Sequence, residues 1–424
     1  MNPAAGSMAY DATPSLNVPM RFFLTAPLFG MAAGGLLIFS PHALTSRWLP
    51  ETFAVVHLVA VGFMLMVMSG ALFQILPVVA GRAIPGKGVF AGFVHAGLCV
   101  GAVLLSWGLG ASLREAIEAG ALALLIALTA FIGGVAAGLW GCRIDLATQR
   151  DLRLAMTGIA VTVMLGTTLA LVLSRGAALP FLSLLELHVG WAFLGAAGML
   201  LAATSWIVVP MFQITPPYPA WMMRAWGWAV FISLLAWSLA VMLEAGEVAG
   251  LLLSLPLLLA AAYALATLWL QHRSRRTRPD ETLRAFRLAM CAFLAGLVCV
   301  VMARYAGDAR WSVTAGVLVL YGGFVGVIQG MLYKIVPFLC WLHLSQKMRR
   351  PPNMKKLQPD GPVRRQARLH ALALGALLVA VMLGEGWAGR VAGVLVAADF
   401  GCLLWNMTEA MRNHRRAAMD SQKD

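Results

Sequence analysis

The sequence predicts an all-α, polytopic membrane protein of twelve transmembrane helices, arranged as three pseudo-repeats of four. Three observations carry that expectation. Of the 424 residues, 60% are hydrophobic and only 12% charged, with a mean hydropathy of +0.81. Soluble domains hold about 45–50% apolar and about 25% charged residues. The apolar residues fall in long, unalternating runs of the length a helix needs to cross a bilayer, not in the short alternating strands of a membrane barrel. Finally, one pattern occurs three times. It runs from His57 to Pro77 (HLVAVGFMLMVMSGALFQILP), from His188 to Pro210 (HVGWAFLGAAGMLLAATSWIVVP), and ends at Pro337 (GVIQGMLYKIVP) without a histidine upstream. An aromatic residue (Phe73, Trp206, Tyr333) stands four residues before each proline, and Gly70 and Gly330 stand seven before theirs. The prolines are 133 and 127 residues apart (77 to 210, 210 to 337), close to a third of the chain, as a triplicated unit requires.

Taken in order, residues 1–19 form a small, polar cytoplasmic segment without a basic leader or a cleavage signature. The spans are expected at 20–40, 52–80, 89–109, 116–140, 153–174, 182–212, 221–244, 247–271, 283–305, 311–341, 366–384 and 388–411. They make one membrane domain, 20–412, with repeats at about 20–140, 153–271 and 283–411, and a cytoplasmic tail at 413–424. The second, sixth and tenth spans are the longest and carry the repeated pattern, each in the same place within its set of four.

The net charge of +14 does not point to nucleic acid, because the basic residues sit in short runs between apolar spans. One set of connections holds Arg82, Lys87, Arg143, Arg150, Arg153, the arginines of 273–278, Lys347 to Arg368, and Arg412, Arg415, Arg416 and Lys423. The alternate set holds single arginines: Arg47, Arg114, Arg175, Arg304, Arg310 and Arg390. The positive-inside bias then puts both termini in the cytoplasm of a bacterial-type inner membrane, with the lipid bilayer as the main partner. The proline-rich, basic stretch 342–365 reads as a cytoplasmic connection lying near anionic headgroups. The six cysteines contain no CxxC pair, which argues against a zinc site or a disulfide framework.

Ionisable groups inside spans are costly and are functional hypotheses by default. His57 and His188 lead, since imidazole is a common metal ligand and a haem axial ligand; the plain alternative is a hydrogen bond to a neighbouring helix. They stand 20 and 22 residues before their prolines, an offset that turns one side chain well round the helix from the other. His95 and His370 could serve a second site, or anchor their helices at the interface. Lys334, in the position of Gln74, is expected to snorkel. Asp399 lies in the last span with no partner evident in the sequence. Met64, Met66 and Met68 alternate, so they scatter round a helix and read as packing rather than as a soft copper site.

Twelve spans in three arcs, with a histidine near the outer end of the second and sixth, resemble subunit I of the haem–copper oxidases. The resemblance implies His57 as a ligand of a low-spin haem and His188 as a ligand of the active-site copper. In size and span count the chain is also similar to haem- and copper-containing membrane proteins of the nitric-oxide response. It departs from the oxidase pattern at three places. The seventh span, WMMRAWGWAVFISLLAWSLAV, has no histidine; the tenth has none, only Tyr321; and Ala192 stands where an A-type oxidase has tyrosine. The resemblance therefore implies a b-type haem protein without the usual copper and dioxygen-reducing ligands. Such a protein would act in electron transfer or in haem, copper or gas handling, beside respiratory-chain or oxidase subunits, and would not be a complete terminal oxidase. The alternatives are a cofactor-free transporter built on proline-broken spans and an assembly factor for a respiratory oxidase.

Overall fold

A computed structural model describes residues 14–80, 84–140 and 147–420. Arg82, Cys142, Arg143, Lys423 and residues 1–13, on which part of the charge and terminal expectations rests, lie outside the described residues. Twelve helices long and apolar enough to span a membrane occur among the described residues. They are α1 (Asn17–Phe39), α2 (Pro50–Val79), α3 (Gly88–Ala111), α4 (Arg114–Leu139), α5 (Ala147–Arg175) and α6 (Phe181–Gln213). The rest are α7 (Ala220–Met242), α8 (Gly246–His272), α9 (Glu281–Tyr305), α10 (Ala309–Ser345), α11 (Asp360–Leu383) and α12 (Gly386–Asp420). No strand occurs among these residues. The chain is an all-α, multi-pass membrane protein, and each expected span coincides with one helix.

Three helix ends extend furthest beyond expectation, by six residues or more (153 to 147, 366 to 360, 411 to 420). Helix α5 starts at Ala147, α11 starts at Asp360, and α12 runs to Asp420. Hydropathy marks only the part of a helix that lipid would cover. The extra turns are polar and held by tertiary hydrogen bonds: the Gln149 amide donates to the Val79 carbonyl at 3.0 Å, and Asn413 donates to the Leu357 carbonyl at 3.1 Å.

The repeated helices do not break at their prolines. Pro77, Pro210 and Pro337 lie inside α2, α6 and α10, which continue beyond them. The irregular backbone lies upstream, in π-helical segments at Leu58–Leu65, Trp191–Gly198 and Val317–Val325. Each segment ends twelve residues before its proline (65 to 77, 198 to 210, 325 to 337). The amides of Met66, Met199 and Gly326 each bond to the carbonyl five residues back, on Val61, Leu194 and Tyr321. Long π segments are rare and mostly mark functional sites. The same backbone irregularity thus lies at the same distance from the proline in all three helices. In this register His57 stands one residue before its π segment and His188 three before, so the two histidines are not equivalent positions.

The described residues fall into two compact units. The first holds residues up to Pro19, Met68–Leu105 and Leu113–Ser274; the second holds Met20–Val67, Ser106–Ser112 and Arg275–Asp424. Within the first, Gly158 of α5 packs so closely on α6 that a Cβ there would come 2.0 Å from the Gly195 carbonyl oxygen. Within the second, α1 meets α12 at Gly34 and Gly393, where added Cβ atoms would lie 2.7 Å from each other's carbonyl oxygens. Small residues permit such approaches, which matter where lipid supplies no hydrophobic drive between helices. Phe400 of α12 anchors the second core, edge-on to Phe63 at 4.8 Å and to Tyr321 at 6.1 Å.

Candidate functional site: a buried carboxylate and imidazole

The most polar interior of the second unit gathers around Asp399, which is fully buried on α12. Helix α10 contributes Tyr321 from its π segment, Gln329, and Tyr333 four residues further on. Helix α11 contributes Gln366 and His370, also four apart. Residues at that spacing share a helix face, so two faces of paired polar side chains point at one carboxylate. Its Oδ2 accepts from the Tyr321 hydroxyl at 2.8 Å, the Gln329 amide at 2.8 Å and the His370 Nδ1–H at 3.1 Å. Its Oδ1 accepts from the Gln366 amide at 2.6 Å. Gln366 also donates to the Gln329 Oε1 at 2.9 Å and accepts from the Tyr333 hydroxyl. Four donors match the acceptor capacity of a carboxylate anion. Each such bond is worth about 1.5–3 kcal/mol net, which offsets the cost of burying the group.

One polar atom of the cluster is left over. The Tyr321 ring lies 4.6 Å from the His370 ring, tilted by 31°, and His370 is only 3% exposed. Its Nε2 is buried and makes no hydrogen bond. That nitrogen faces Gly326, where an added Cβ would lie 3.3 Å away.

Asp399 corrects the sequence reading, which found it no partner. Its donors lie 78, 70, 33 and 29 residues away in the chain. The available signal was the Q-x-x-x-Y and Q-x-x-x-H spacing in two otherwise apolar spans. The ammonium of Lys334 reaches the connection before α9, where it pairs with Asp280 at 2.9 Å, and Asp280 caps α9 by accepting from the Leu283 amide at 3.0 Å.

The first unit buries a carboxylate by other means. Asp151 of α5, fully buried, accepts from Arg150 at 2.7 Å and from the Trp206 indole N–H at 2.8 Å. Arg150 also donates to the Met223 and Arg224 carbonyls. A Cβ at Gly227 of α7 would fall 2.2 Å from the Asp151 Oδ1, so only glycine leaves the carboxylate its space. Trp206 is the aromatic of the repeated pattern, and its counterpart Tyr333 serves the Asp399 cluster. The third, Phe73, packs on Phe90 at 6.2 Å and Phe131 at 5.7 Å. In the connection after α6, burial raises the Tyr218 phenol well above its ordinary pKa, keeping it neutral and hydrogen-bonded to Thr267 at 2.8 Å.

The leading histidines fall in different units, His57 in the second and His188 in the first. Both are half-buried. The His57 Nδ1–H donates to the Phe53 carbonyl at 2.8 Å. The His188 Nδ1–H donates to the Thr162 carbonyl at 3.1 Å, and its ring lies against Gly166, where a Cβ would come 2.9 Å from Cε1. In the first unit His95 has its Nε2 3.7 Å from the Cys99 Sγ. No group of three or more His, Cys, Asp or Glu side chains able to hold a metal ion occurs among the described residues. No protein-family model matches the sequence, and no curated protein matches it.

Proposed function

We propose that this multi-pass membrane protein binds b-type haem and serves in electron transfer or in handling haem or a diatomic gas, in a bacterial-type inner membrane with both termini cytoplasmic. The observation that carries the reading is the anchoring of His57 and His188. In each, a backbone carbonyl takes the Nδ1 proton, which makes Nε2 the lone-pair nitrogen and fixes the ring's orientation. A histidine that serves as a metal ligand is held in this way.

The donor set fits haem better than copper. Haem brings four nitrogens of its own and needs one or two axial side chains, whereas a protein copper centre needs several converging ligands. No such group of three occurs among the described residues. When bound, haem would supply one-electron redox chemistry and an axial position for a small gas. The protein would supply the axial imidazole, its orientation through Phe53 or Thr162, and an apolar surround that excludes water. The oxidase-like likeness and the π segments just after both histidines also support the reading. Respiratory-chain or oxidase subunits are the partners it implies.

The test is the absorption spectrum of protein purified after expression with ample haem. A Soret band that changes in His57→Ala or His188→Ala is expected. Colourless wild-type protein, or a band unaltered in both variants, would overturn the reading. Colourless protein that co-purifies with oxidase subunits would favour an assembly factor instead.

A further inference from the structure

We propose that His370 and Asp399 form an intramembrane proton-binding site in the second unit, with Nε2 of His370 as the atom that takes up the proton. The inference does not depend on haem and rests on three features of the cluster.

The first is the orphaned nitrogen. The Nδ1–H of His370 donates to Asp399, so Nε2 carries the lone pair. It is buried with no hydrogen bond, while the other polar side-chain atoms of the cluster are partnered. Leaving such an acceptor unmet is unfavourable, and a satisfied core histidine would not show it.

The second is charge. The partners of Asp399 are a phenol, two amides and an imidazole, with no lysine or arginine among them. Adding one proton at Nε2 gives an imidazolium directly paired with the carboxylate and makes the pair neutral. Attraction at 3.1 Å is strong in a medium of low dielectric. The step forms one N–H bond at Nε2 and breaks one O–H bond of a hydronium ion from the aqueous phase, which leaves as water; no bond of the protein breaks and nothing is oxidised or reduced.

The third is space. Nε2 lies against Gly326 of α10, where the missing side chain leaves the place of a Cβ unfilled: an added Cβ would come 3.3 Å from Nε2 and 3.5 Å from the Ala289 Cβ of α9. The titratable groups facing His370 are Tyr321 from α10 and Asp399 from α12, with Tyr333 of α10 one hydrogen bond further through Gln366. Glu281 of α9 is held by Arg284 and Arg364. His42, in the turn Pro41–Leu44, faces Glu51 at 3.6 Å. Chains of Asp and His inside membrane spans are the usual parts of proton relays.

The experiment is a pH titration of the full chain, labelled with ¹⁵N-histidine and held in lipid bilayers, followed by solid-state NMR. The His370 signal is assigned through its contact with the Tyr321 ring, so assignment needs no variant. Nε2 should convert from the unprotonated to the protonated signature as the pH is lowered. Asp399→Asn should move the midpoint about one unit or more to lower pH, because it removes the charge partner. Gly326→Ala breaks none of the cluster's bonds but crowds Nε2, and should also lower the midpoint. An Nε2 that stays unprotonated throughout in the wild-type chain would overturn the proposal. So would a midpoint indifferent to Asp399→Asn or, should that variant not fold, to Gly326→Ala. The readout is the nitrogen itself, so the result stands whether or not the protein is coloured.

Discussion

Among the described residues each unit buries one carboxylate completely, and the two are stabilised in opposite ways. Asp151 has a guanidinium and an indole; Asp399 has a phenol, two amides and an imidazole. The aromatic four residues before the repeated proline takes part in both, bonding the carboxylate itself in the first unit and Gln366 in the second. A salt bridge balances charge permanently and leaves little to change. A carboxylate held by neutral donors keeps its charge unbalanced and can respond to a proton. The same helical plan thus yields a fixed pair in one unit and a responsive one in the other.

The comparison can be broken by substitution, followed by thermal unfolding in detergent or lipid. The largest effect is expected for Arg150→Met, which strands Asp151 without its cation at a cost of about 3–5 kcal/mol; the double variant with Asp151→Asn should recover part of it. Asp399→Asn should cost about 1.5–3 kcal/mol, since one acceptor becomes a donor among donors. A larger loss at Asp399→Asn than at Arg150→Met would invert the argument. Trp206→Phe should lose about 1–3 kcal/mol by stripping a donor from a buried anion, and Tyr333→Phe about 1 kcal/mol, the low end of that range, because the acceptor it leaves without its donor, Gln366 Oε1, is neutral. The smallest effect belongs to Glu118→Gln. Glu118 pairs with Arg175 at 2.7 Å at an exposed position, and the unfolding temperature should not move.

The twelve helices were legible because a bilayer makes fold class a one-dimensional problem. Length and apolarity of a run decide whether it crosses, and both can be read along the chain. The repeated proline pattern was legible too, but its meaning changed in the structure. Helices α2, α6 and α10 pass through their prolines, and the irregular turn sits twelve residues earlier, at positions with no composition to betray them. Among candidate residues, His57 and His188 stood out because a histidine in an apolar run is visible alone. Asp399 was equally visible, yet seemed isolated, since each of its partners is an uncharged or half-apolar residue on another helix.

That this chain enters a membrane as twelve helices follows from its composition run by run, because transfer of apolar side chains is additive and indifferent to neighbours. Tertiary structure alone decided which buried acid meets an arginine and which meets an imidazole. A hydrogen bond exists only within about 3 Å, and residues up to 78 positions apart reach that distance only once helices have packed.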